Sequence, residues 1–94
     1  MTIRQGHFQN YDYDRMIVRF TMMNEDVEVL CSVSTAAMDK LEDCMNASAP
    51  QREAQFMRLR EEIEAQAAVK IGKHEFEGTP RGVVLRSIDF QQRG

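Results

Sequence analysis

Nothing in this chain reaches the roughly 20 consecutive apolar residues that a bilayer-crossing helix requires, and Met1-Thr2-Ile3-Arg4-Gln5-Gly6 lacks the apolar stretch of a secretory leader. The expectation is a cytoplasmic protein with no membrane partner. Basic residues are not in excess either. Twelve Lys and Arg against fifteen Asp and Glu leave a formal net charge of -3, which argues against electrostatic capture of nucleic acid. Gly6, Gly72, Gly78, Gly82 and Gly94 form neither a G-x-G-x-x-G nor a P-loop pattern, so no phosphate cradle of known design is present. Cys31 and Cys44 have no C-x-x-C spacing, and each falls on the apolar side of a predicted element. There a free thiol packs as a small hydrophobe and a thiolate is disfavoured, which removes support for nucleophilic catalysis. The nearest approach to a metal set is His74-Glu75-Phe76-Glu77, short of the three or four protein ligands of a zinc site, and the other histidine, His7, lies in the N-terminal segment. No metal, cofactor or catalytic residue is expected.

What is present is ordinary globular material. With 94 residues, 43% apolar and 29% charged, the chain is expected to form one domain around one core, with loose ends at residues 1–7 and 91–94. Phe8, Tyr11 and Tyr13 punctuate an otherwise polar N-terminal segment and read as anchors for it. From Arg15 onward the period becomes two. Met16, Val18, Phe20 and Met22 alternate with polar residues, as do Val27, Val29, Cys31 and Val33 after Asn24-Glu25-Asp26. This predicts a hairpin. Both apolar sets must reach one face, which selects an even-numbered loop and a register pairing Met22 with Val27, Phe20 with Val29, Val18 with Cys31 and Met16 with Val33. Arg19 then falls diagonal to Glu28 on the opposite face.

Ser34 has the character of a helix N-cap, and Ala37, Met38, Leu41, Cys44 and Met45 follow at helical spacing, predicting a helix from about Thr35 to Met45. After the break at Asn46-Ala47-Ser48-Ala49-Pro50, Ser48 and Gln51 have capping-box spacing. A longer helix carries the stripe Phe56, Leu59, Ile63, Ala67 and Ile71, with Gly72 at its end. On its polar side Arg58 is spaced for Glu61 and Glu62, and Arg60 for Glu64, ordinary helix-surface pairs. A polar connector, Lys73 to Gly82, leads to a last strand, Val83 to Phe90. The predicted fold is α+β and two-layered, in ββααβ order, with both helices packed on one face of a small sheet.

The other sheet face is the informative one. The alternation places Arg15, Ile17, Arg19 and Leu30 there, and the last strand adds Val84, Arg86 and Ile88, because the opposite choice would bury the Arg86 charge. Ile17, Leu30, Val84 and Ile88 make this face more apolar than a solvated face should be, so something is expected to cover it. Three coverings compete: the N-terminal segment folded back, a second copy in a homodimer, or a distinct protein partner. Single-stranded RNA is disfavoured by the acidic chain and the lack of paired surface aromatics. The reading is a non-enzymatic binding or assembly module working through Arg15, Ile17, Arg19, Leu30, Val84, Arg86 and Ile88. The alternative is a small enzyme whose site is scattered along the sequence.

Arg15-Met16-Ile17-Val18-Arg19-Phe20, then Cys31-Ser32-Val33-Ser34 leading into Ala37-Met38, then Ile63-Glu64 with Ala67, and finally Asp89, resemble the small bacterial family known as domain of unknown function 1488. The resemblance spans about residues 8 to 90 and rests on fold determinants. It implies the same two-layer arrangement and no activity.

Overall fold

The computed structural model describes residues 2–42, 49–78 and 81–90. Three strands come first: β1 (Ile3–Asp12), β2 (Ile17–Asn24) and β3 (Val27–Ser34). Then follow α1 (Thr35–Glu42), a 3-10 turn at Ala49–Gln51, α2 (Arg52–Gly72), β4 (Val83–Leu85) and a second 3-10 turn at Ser87–Phe90. The sheet order is β1-β2-β3-β4, antiparallel except for the parallel pair β3–β4. No helix among the described residues is long and apolar enough to cross a membrane.

The core lies between the sheet and both helices, as the apolar periodicity predicts. Val18, Phe20, Met22, Cys31, Val33, Val83 and Leu85 supply the sheet side, and Ala37, Met38 and the α2 stripe from Phe56 to Ile71 supply the helix side. Phe56 is the hub, its ring 5.1 Å from that of Phe20 and 5.7 Å from that of Phe8. Ser34 caps α1 as expected, its Oγ accepting from the Ala37 amide at 3.1 Å. The expected continuation of this helix to Met45, with Cys44, and the Ser48 cap lie outside the described residues.

Four expectations are corrected. The N-terminal segment, including most of the stretch expected to be loose, is strand β1, so the order is βββααβ. Its period is hidden because its pairing with β2 shifts register between Gln5 and Phe8 and again between Phe8 and Asn10. Phe8 and Tyr11 pack against the core from the sheet edge and do not cover the outer face.

The hairpin register moves by two residues, pairing Met22 with Val29, Phe20 with Cys31 and Val18 with Val33. A tighter Glu25-Asp26 turn does this, with Glu25 in the left-handed region at φ 57°. A shift of two preserves which side chains face the core, so the face assignment stands while the cross-strand partners change. Arg19 lies opposite Ser32 and pairs with Asp12, not Glu28.

Met16 is not a core strand residue. It is a turn residue with φ 57°, 54% exposed, and its carbonyl accepts from the Thr35 amide. Finally, the last strand stops at Leu85. Asp89 Oδ2 accepts from the Arg86 amide at 2.7 Å, and the Asp89 amide donates to the Arg86 carbonyl at 2.9 Å. A side chain that bonds its own backbone competes with the sheet ladder, and the chain turns. Phe90 folds back against the core and Ile88 is left 69% exposed outside any strand.

Candidate interaction face

The pairing of β2, β3 and β4 sets the outer face in rows. Arg19, Ser32 and Val84 share one row; Ile17 and Ser34 lie two residues to one side, Thr21 and Leu30 two to the other. Arg15, Ile17, Arg19, Leu30 and Val84 line an open hollow of about 400 Å³. Its floor is apolar where Ile17 and Val84 lie half-buried, and Leu30 stands proud at 37% exposure. Gly82 brings its backbone against β3 so closely that a Cβ there would sit 2.4 Å from the Leu30 carbonyl oxygen. This close approach lets Glu77, Gly78 and Gly82 wall one side of the hollow. Ile88 does not reach it.

The charged groups around the hollow are partnered with one another. Arg19 meets Asp12 at 2.9 Å, while Arg15 is 3.8 Å from the same carboxylate with its side chain 71% exposed. The Arg15 amide also donates to Asp12, and this bond, followed by the two guanidinium groups, holds the Asp12 carboxyl below its ordinary value against the effect of desolvation. At the opposite wall Arg86 grips Glu77 through two hydrogen bonds of 2.8 and 3.0 Å. They lower the Glu77 carboxyl and raise the Arg86 guanidinium. Thr21 points to the same side but is buried, because β1 closes over it and the His7 amide donates to its Oγ1 at 3.0 Å.

The arrangement offers little chemistry. Burial pushes the Cys31 thiol up to about 12, which keeps it protonated at neutral pH and disfavours the thiolate a nucleophile needs. No group of three His, Cys, Asp or Glu residues that could hold a metal ion occurs among the described residues. His74 adopts a left-handed turn conformation at φ 58°, its ring 6.4 Å from that of Phe76.

A polar cluster escapes the sequence reading. At the start of α2, Arg52 Nη1 donates to Asp39 Oδ1 at 2.7 Å and to Gln55 Oε1 at 2.6 Å, and Gln55 donates to Asp39 at 2.9 Å. Burial works to raise the Asp39 carboxyl, but the Arg52 and Gln55 donors outweigh it and hold it low. Arg58 extends the cluster to Glu42 at 2.7 Å, and Arg60 pairs with Glu64 as expected. A signal was present: stepping the Phe56 stripe back one turn reaches Arg52.

The model of the family described as "Protein of unknown function (DUF1488)" matches residues 5–81. The chain belongs to the DUF1488 family. A crystal structure of a protein of unknown function from the DUF1488 family, from Shewanella loihica PV-4, superposes with a TM-score of 0.73 at 20% identity, covering 92% of this chain and 97% of that one. At that identity the likeness is one of fold. No curated protein matches. DUF1488 membership thus assigns the architecture and indicates no specific activity.

Proposed function

We propose that this DUF1488 protein is a bacterial, cytoplasmic, non-enzymatic assembly module that docks another polypeptide on its outer sheet face. One observation carries the reading: the apolar floor formed by Ile17, Leu30 and Val84 stays open although β1 is already used at the sheet edge. An enzyme would need a nucleophile, an acid or base and oxyanion donors converging on one point of the hollow. Here the walls are ion pairs, Arg19 with Asp12 and Arg86 with Glu77, and the adjacent thiol is neutral. Arg15, Arg19 and Arg86 orient the partner, and Ile17, Leu30 and Val84 supply the buried area.

A photo-crosslinking side chain at Val84, introduced in cells of the source organism, tests this. A discrete adduct is expected, lost when Ile17 and Leu30 are both changed to Ser while the melting temperature of the protein is retained. Crosslinking at Val84 no greater than at Val69, on the exposed side of α2, would overturn the proposal.

A further inference from the structure

We infer that the partner on the outer face is a second copy of this chain, packed sheet to sheet about a two-fold axis; the inference rests on reading that face as a binding surface. The strand register supplies the geometry. An axis lying in the interface and crossing the strands along the Arg19–Ser32–Val84 row exchanges the rows on either side of it. Leu30 of one copy then comes over the Ile17–Ser34 row of the other, with the strands of the two sheets nearly aligned. Leu30 is the side chain that projects, and Ile17, half-buried beside the small Ser32 and Ser34, leaves the room to receive it. Symmetry makes this contact twice. Val84, on the axis row, meets its own counterpart.

The charges obey the same symmetry. Arg15 lies in the turn beyond the Ile17 row, exposed and sharing Asp12 with the closer Arg19. Glu28 lies beyond the Leu30 row, exposed and without a hydrogen bond or ion pair among the described residues. The axis that brings Leu30 over Ser34, with Ile17 beside it, also brings the exposed Arg15 of each copy within reach of Glu28 of the other. A two-fold interface requires one patch to complement itself in this way, whereas a foreign partner would place no such relation between the two ends of one face. Arg19, near the axis, carries its own counter-ion at 2.9 Å, so the two copies approach without facing bare like charges.

Sedimentation equilibrium of the full chain tests the inference, with circular-dichroism melts to confirm folding. The wild type is expected to be a dimer. Arg15→Glu and Glu28→Arg should each weaken it about tenfold or more, and the double variant should return to within about threefold of wild type, because the swap rebuilds both symmetric pairs. Ser32→Tyr should give a folded monomer by filling the receiving hollow. A wild type that is monomeric at about 100 µM overturns the inference, as does a double variant no stronger than the singles. The Val84 adduct separates the two levels of failure. An adduct of twice the chain mass supports the dimer; an adduct with another protein, together with a monomeric pure chain, overturns the dimer and leaves the binding surface standing; no adduct removes both.

Discussion

Single side chains carry more of this structure than their chemistry suggests. Asp39 is the clearest case, since it accepts from Arg52, whose side chain is 5% exposed, and from Gln55, which is fully buried. Arg52 Nε has no hydrogen-bond partner among the described residues, so the guanidinium leans on its carboxylate. Removing Asp39 strands a buried cation, and breaking such a pair from one side is far costlier than the net worth of the pair. We expect Asp39→Ala to lower unfolding free energy in urea by about 2 to 4 kcal/mol, and Asp39→Asn, which keeps one acceptor oxygen, by less. Equal effects of the two would mean that the hydrogen bonds rather than the charge are irrelevant there. Asp89 acts at the same scale with a different outcome: by accepting from the Arg86 amide and pairing with Lys70 at 3.1 Å, it ends a strand.

At the level of elements, those whose local pattern agrees with their tertiary role were legible, namely β2, β3, the cap and first turns of α1, and the α2 stripe. β1 was not. A period-two reading needs an unbroken strand, and two register shifts move Phe8 and Tyr11 inward without strict alternation. The hairpin turn was misplaced because a glutamate occupies a left-handed position that turn chemistry assigns to Gly, Asn or Asp. Gly6 is the residue that makes the irregular edge possible, since a Cβ there would lie 2.3 Å from the Thr21 carbonyl oxygen. Gly6→Val should therefore unpair this part of β1 and cost about 1 to 3 kcal/mol or more. Hydrogen exchange should show the β1 amides losing protection while the β2–β3 ladder keeps it; unchanged β1 protection would contradict the close approach.

For the molecule as a whole, parity sufficed to assign a face: five of the seven residues expected on the outer side line one hollow. Arg86 is held at its wall by Glu77, and Ile88 was lost to a local turn that no periodicity announces. The electrostatics are likewise collective. Asp12, Asp39, Glu42 and Glu77 are all held below their ordinary values by arginine or backbone donors. A carboxyl lowered in the folded state contributes stability above its unfolded value and loses it as pH falls through the folded one. The melting temperature should be nearly flat from about pH 8 to 5 and fall steeply below about pH 4. A melt insensitive to acid down to about pH 3 would show that these pairs contribute nothing to folding.

The parallel strand pair has a consequence in time. β1, β2 and β3 follow one another through short turns, so their ladders close small loops, but β4 joins β3 only after both helices have been traversed. Because loop entropy must be spent before such a distant pairing is rewarded, β4 is expected to dock last, onto a meander and helix pair already assembled. Lys70 waits there at the end of α2, its ammonium reaching the Val84 carbonyl at 2.9 Å and the Asp89 carboxylate beyond it. The outer face is therefore expected to gain Val84 last, after the β2 and β3 rows that flank it have paired.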